Sequence, residues 1–136
     1  MFSPDSHILV IDDSSAVRSL VKQQLTALGF RNVLEAEHGK EALEKLDSLS
    51  KVGVDVHLLI CDWNMPEMNG IDLLLTLKAH AKYKSIPFLM ITSESETENV
   101  IKAIVLGVTD FIVKPFDESL LSEKLSSIWK RTHQKA

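Results

Sequence analysis

Short apolar runs alternate with longer stretches of helical periodicity along nearly the whole chain, and this alternation restricts the fold more than any other feature. Ile8-Leu9-Val10-Ile11 is a continuous apolar run, the pattern of a parallel strand buried on both faces. A helix is predicted from about Ser15 to Leu28, with Val17, Leu20, Val21, Leu25 and Leu28 on one stripe and Gly29 as its stop. A weaker strand lies near Val33-Leu34-Glu35-Ala36. A short helix carrying Ala42, Leu43, Leu46 and Leu49 follows Gly39, and Ser50 to Asp55 reads as a loop. Leu58-Leu59-Ile60-Cys61 is the next strand, followed by a helix from about Ile71 to Ala79. The fourth strand is predicted over Ile86 to Ile91, where Pro87 is tolerated only at the start. A helix from about Glu96 to Leu106 is stopped by Gly107, and the strand Phe111-Ile112-Val113 and a helix from about Glu118 to Arg131 complete the series.

Strands and helices in this order imply an α/β fold, a doubly wound five-stranded parallel sheet with five helices on its two faces. Right-handed crossovers bring the C-terminal ends of all the strands to one edge. The 136 residues suit one domain spanning 1–136, with no effector domain and no linker or repeat. Lys plus Arg number 15 against 19 Asp plus Glu, a net charge of −4 without the basic face that a nucleic-acid binder presents. No apolar run reaches the ~18 residues of a membrane span. The opening Met1-Phe2-Ser3-Pro4-Asp5-Ser6 lacks the basic and apolar regions of a signal peptide, so a cytoplasmic protein is expected. Cys61, the single cysteine, ends a core strand and is expected to be a buried thiol. The histidines (7, 38, 57, 80 and 133) show no ligand spacing and read as incidental.

The strand ends carry the chemistry. The first strand terminates in Asp12-Asp13, the third in Asp62, the fourth in Thr92 and the fifth in Lys114-Pro115. After Asp62 comes a polar loop with Pro66 and the turn pair Asn69-Gly70. Taken singly, each has an ordinary explanation: helix capping for Asp12-Asp13 and Thr92, turn amides for Asp62, a surface position for Lys114. Together they occupy the edge where open α/β sheets bind ligands. Carboxylates gathered at ~4 Å with an effective dielectric of ~20 repel by on the order of 4 kcal/mol per pair. A hard divalent cation with oxygen ligands resolves such a cluster, and Mg2+ fits it. Lys114 ends an apolar stretch where an unpaired ammonium is costly, and either Asp62 or a phosphoryl oxygen satisfies it. The chemistry that fits is phosphoryl transfer onto Asp62, with Thr92 and Lys114 holding phosphoryl oxygens. A carboxylate is already ionised at neutral pH, so no catalytic base is required.

With Asp12-Asp13, Asp62-Trp63-Asn64-Met65-Pro66, Thr92-Ser93-Glu94 and Lys114-Pro115-Phe116 in place, the chain closely resembles the receiver domain of bacterial two-component response regulators. Its nearest likeness is to the single-domain, CheY-like regulators of chemotaxis, and it runs from about His7 to Lys130. The resemblance implies the flavodoxin/CheY-like strand order 2-1-3-4-5. It implies that Asp62 accepts phosphate from a histidine kinase. Mg2+ would be ligated by Asp13, Asp62 and the main-chain carbonyl of Asn64, with Asp12 acting through water. It further implies a cis Lys114-Pro115 peptide and a switch formed by Thr92 and Phe111. Asn64 and Glu94 stand at the positions that tune loss of phosphate to water, and hydrolysis in seconds to minutes is expected. The implied partners are a downstream target such as a flagellar motor switch protein and a phosphatase, with the chain itself a monomer.

Three departures from that pattern stand out. Phe111 replaces the tyrosine usual in chemotaxis regulators, which keeps a swinging ring but removes its hydroxyl. The loop around Ser50 to Asp55 is longer than usual, and Glu94-Ser95-Glu96-Thr97-Glu98 puts an acidic rim where lysines are usual. The fourth helix is apolar on more than one face, so Ile101, Ile104 and Val105 are expected to include exposed residues that meet a partner, and Trp129 either joins that surface or packs under its helix. Other readings stay open at this point: a phosphate sink or relay member, an aspartate-nucleophile phosphohydrolase, and a nucleotide- or flavin-binding domain. The last lacks a glycine-rich cradle after the first strand, and the hydrolase reading lacks a second Asp at position 64.

Overall fold

The computed structural model describes residues 1–65, 68–93 and 97–133, with Thr97 and Asn99 described in their backbone only. Five strands, β1 (His7–Ile11), β2 (Asn32–Ala36), β3 (Leu58–Asp62), β4 (Phe88–Ser93) and β5 (Asp110–Lys114), alternate with helices α1 (Ser15–Ala27), α2 (Gly39–Lys51), α3 (Gly70–Lys78), α4 (Thr97–Leu106) and α5 (Glu118–Thr132). All four strand pairings are parallel and the sheet order is β2-β1-β3-β4-β5. The register aligns Ile11 with Cys61, Asp62 with Ile91, and Ser93 with Lys114. The four polar strand ends, Asp12, Asp62, Thr92 and Lys114, therefore meet at one edge.

The strict alternation of side chains along each strand divides the core in two. Leu9, Ile11, Leu59, Cys61, Phe88 and Met90 face α2, α3 and α4, where Ala42, Leu46, Leu74, Leu77 and Ala103 meet them. Ile8, Val10, Leu58, Ile60, Leu89, Ile91 and Ile112 face α1 and α5, against Val21, Leu25, Leu121, Leu125 and Ile128. Trp129 packs beside this second layer, edge-on to Phe2 and stacked on His133, so it lies under the end of α5 rather than on the face of α4. Cys61 is fully buried.

Several local expectations are corrected. Leu20 is 51% exposed, because it lies off the row formed by Val17, Val21 and Leu25. The second helix is not short: it continues through Ser50 to Lys51, and Gly53, at φ +77°, provides the left-handed turn beyond its end. Ile86 and Pro87 precede β4, which instead extends through Thr92 and Ser93 to pair with Val113 and Lys114. Asn69-Gly70 is not a two-residue turn: Asn69 caps α3 by accepting the Asp72 amide at 2.9 Å, and Gly70 is the first helical residue. Three of the histidines accept backbone amides through Nδ1 among the described residues: His38 takes that of Glu41 as the cap of α2, His57 that of His7 at 3.0 Å, and His80 that of Lys82 at 3.2 Å.

Candidate functional site

The β1 run ends as Asp12 donates its amide to Ala36 O at 3.1 Å, which fixes its side chain at the sheet edge. Asp12 Oδ1 then accepts the Ser14 amide at 2.8 Å, and Ser14, not either aspartate, caps α1 through the Val17 amide. Asp12 is buried, and among the described residues its Oδ2 accepts no hydrogen bond. Asp62, at the end of β3, is also buried, while Asp13 is exposed. One carboxylate oxygen from each of Asp12, Asp13 and Asp62 lies within 4.8 Å of the others.

Lys114 reaches into this cluster from the end of β5. Its Nζ is 3.1 Å from Asp62 Oδ1 and 3.8 Å from Asp12 Oδ2, an ion pair with the first and a longer electrostatic contact with the second. The Lys114-Pro115 peptide is cis. One ammonium does not balance three carboxylates. Burial, outweighing the Ser14 amide and helped by the negative charge of Asp62, pushes the Asp12 carboxyl up from 3.8 to about 6. Burial likewise raises Asp62, and Lys114, by hydrogen bond and charge, opposes that rise. The Cys61 thiol is raised by its complete burial and by the neighbouring aspartates, so it stays protonated. An all-oxygen donor set with an unsatisfied buried carboxylate oxygen fits a hard cation such as Mg2+.

Thr92 is buried near the end of β4, with Oγ1 at 3.4 Å from Ser93 O. Strand alternation places it on the α4 side of the sheet, the side on which Phe111 packs, and Met90 stands opposite Phe111 in the register. Asn64 is exposed in the loop after β3. Glu94 lies outside the described residues, as do Pro66, Glu67, Ser95 and Glu96. Ile101, Ile104 and Val105 on α4 are all exposed, Val105 by 79%.

The sequence reading passed over two residues that shape this site. Arg18 donates from its guanidinium to Asp12 O at 2.6 Å and to Glu35 Oε1 at 3.2 Å, pinning the chain where β1 turns into α1. Nothing in the spacing marks it, since Glu35 is remote in the chain. Gly70 packs against the backbone of Asp62: a Cβ there would stand 2.7 Å from Asp62 O and 2.9 Å from Met90 Sδ. Its signal in the sequence is the glycine after Asn69, which reads as turn chemistry and not as close approach.

Comparison with known proteins agrees with this arrangement. The model of the response regulator receiver domain matches residues 8–126. Chemotaxis protein CheY1 of Helicobacter pylori is 49% identical over 121 residues, covering 89% of this chain and 94% of its own. A chemotaxis protein CheY homolog of Campylobacter jejuni is also 49% identical, over 89% of this chain and 90% of its own. The high-resolution structure of Vibrio cholerae chemotaxis protein CheY4 superposes with a TM-score of 0.80 at 31% identity, covering 91% of this chain and 98% of that one. A parallel sheet of this order with aspartates and a lysine converging on its C-terminal edge, joined to these matches, establishes that the chain belongs to the response regulator receiver domain family.

Proposed function

We propose that this receiver domain takes a phosphoryl group from a histidine kinase onto Asp62 and uses the modified state to change its binding to a partner protein. The observation that carries this reading is the Lys114 ammonium 3.1 Å from Asp62 Oδ1, beside three carboxylates within 4.8 Å. An Asp62 oxygen attacks the phosphorus in line as the bond to the donor's leaving group breaks, which leaves an acyl phosphate. Lys114 exchanges part of its contact with Asp62 for a phosphoryl oxygen, and the Thr92 hydroxyl donates to another. Asp12, Asp13 and Asp62, with the main-chain carbonyl of Asn64, would hold Mg2+, which when bound neutralises charge on the phosphoryl oxygens. The chain assists its own labelling and its own loss of phosphate, with Asn64 and Glu94 setting the access of water, and turns over no external substrate. The phosphorylated state is expected to last seconds to minutes.

Phosphorylation adds close to two negative charges at the end of β3. A shift of Thr92 toward them vacates space on the α4 side of the sheet, and Phe111 moves into it. This biases α4, whose exposed Ile101, Ile104 and Val105, together with Phe111, form the surface offered to the partner. Similarity to chemotaxis proteins at 49% identity supports a flagellar motor switch protein as that partner; a phosphatase as a second partner and a monomer in the cytoplasm complete the reading. No helix among the described residues is long and apolar enough to cross a membrane. The decisive experiment is labelling by a small-molecule phosphodonor with Mg2+. Wild type is expected to label and Asp62→Asn not to; equal labelling of the two rejects Asp62 as the acceptor.

A further inference from the structure

Phe111 is held from outside by a clamp that the reaction itself does not use. The Asp110 carboxylate accepts the Phe111 amide at 2.8 Å through Oδ1, and the same oxygen takes the Lys124 ammonium at 3.2 Å. Arg131 locks the carboxylate from its other side, with NH2 2.7 Å from Asp110 Oδ2 and NH1 donating to Thr109 O at 2.9 Å. From this anchorage Lys124 Nζ sits over the Phe111 ring, 4.8 Å from its centroid. Lys124 belongs to α5, whereas the ring packs with the core on the opposite side of the sheet, so the lysine reaches past β5, the outermost strand. A phenyl ring carries no polar atom, so a preference for the sheet edge over the apolar interior has to come from a group outside it. The ammonium on its face is such a group.

We propose that Lys124 is a positioning residue of the switch: held by Asp110, it keeps the Phe111 ring at the β5 edge and opposes the inward movement that accompanies phosphorylation. This rests on the reading of Thr92 and Phe111 as the switch. An inward ring leaves the cation behind, so each inward excursion forfeits the contact. Removing the charge favours the inward state by about 2- to 5-fold, the range of a cation–π contact at a partly exposed site. A ligand that selects the inward state then binds more tightly by the same factor. Without this role Lys124 would only neutralise Asp110 alongside Arg131, and its loss would change stability without moving the ring.

The test places 4-fluorophenylalanine at position 111 and follows its 19F resonance in wild type, Lys124→Met and Lys124→Arg, free and with Mg2+ and beryllofluoride. Methionine keeps the aliphatic bulk and removes the charge; arginine keeps the charge. The expected result is a displaced wild-type resonance on adding beryllofluoride. Free Lys124→Met should be shifted part of the way toward that position with beryllofluoride affinity raised about 2- to 5-fold, and Lys124→Arg should stay near wild type. An unmoved Lys124→Met resonance, or a Lys124→Arg shift as large as that of methionine, overturns the proposal while the wild-type displacement stands. A wild-type resonance that does not respond to beryllofluoride overturns the switch itself, and the brake with it.

Discussion

The Lys114 ammonium lies 3.1 Å from Asp62 Oδ1, a distance at which it donates a charge-assisted hydrogen bond to the carboxylate proposed to attack phosphorus. The two residues come from β3 and β5, strands separated in the sheet by β4, and meet because both side chains project from the same edge. The ammonium thus plays two parts. It partly neutralises the carboxylate cluster before phosphate arrives, and it is in position to meet a phosphoryl oxygen afterwards.

Lys114→Met is therefore expected to separate metal binding from reactivity. Loss of a competing cation should tighten Mg2+ binding, read by quenching of Trp63, which adjoins Asp62 and is 8% exposed. Labelling by a small-molecule phosphodonor should slow by about 10²-fold or more, the usual effect of removing one preorganised donor to a transition-state oxygen. Trp129→Phe in the background removes the second indole, which stacks on His133 and would add its own signal. Weakened metal binding together with normal labelling would contradict the assigned roles.

Acid is expected to stabilise the metal-free domain through its carboxylate cluster. The folded Asp12 carboxyl stands at about 6 against 3.8 in the open chain, so the folded state binds more protons between those values. Its contribution is complete below about pH 4 and is lost as pH rises through about 6, with the raised Asp62 acting in the same direction. In chelator the melting temperature should fall from pH 5 to pH 7 more steeply for wild type than for Asp12→Asn. Mg2+ should restore stability at pH 7 and do progressively less as the carboxylates protonate. Identical pH profiles for the two proteins would show that Asp12 does not carry the effect.

Gly70→Ala is expected to strain the site through its backbone. The new Cβ would meet Asp62 O at 2.7 Å and Met90 Sδ at 2.9 Å, and only the methionine can give way by rotation. Overpacking of this kind costs about 1–3 kcal/mol. Denaturant titration should show that loss, accompanied by slower labelling of Asp62. A Gly70→Ala domain as stable and as reactive as wild type would mean that the β3–α3 junction relaxes freely.

Val105→Asp is expected to leave the fold and the chemistry intact while removing binding. Val105 is 79% exposed, and substitutions at such sites usually change stability by less than about 0.5 kcal/mol. Melting temperature and labelling should match wild type. Affinity of the phosphorylated form for a purified flagellar motor switch protein should drop by at least about tenfold, as for a hot-spot residue. Unchanged affinity would move the binding surface away from this part of α4.

Much of the fold was legible because it depends on local pattern. The continuous apolar runs around Val10, Ile60 and Ile91 read as strands buried on both faces, and each lies in the sheet with both neighbours paired. Reading failed where a boundary depends on backbone geometry or on a partner remote in the chain. Ser50 looks like a loop residue and draws the predicted end of α2 too early, whereas the left-handed turn falls at Gly53. Periodicity puts Leu20 on the core stripe, while the width of the buried part depends on what packs against it.

Residue type and position at strand ends were enough to single out Asp12, Asp62, Thr92 and Lys114 as a group, since apolar runs that stop on charged or hydroxyl side chains fall together at one edge of a parallel sheet. Their separations, the Asp12 Oδ2 that accepts no hydrogen bond among the described residues, and the Asp12 pKa of about 6 were decided only by the folded chain, because burial and electrostatic coupling depend on groups that the sequence keeps far apart. The same holds for Arg18 against Glu35, Gly70 against the Asp62 carbonyl and Lys124 over the Phe111 ring. Sequence determined which chemistry stands at the edge of the sheet. Tertiary packing decided how strongly those groups feel one another, since that depends on distance and exclusion of water.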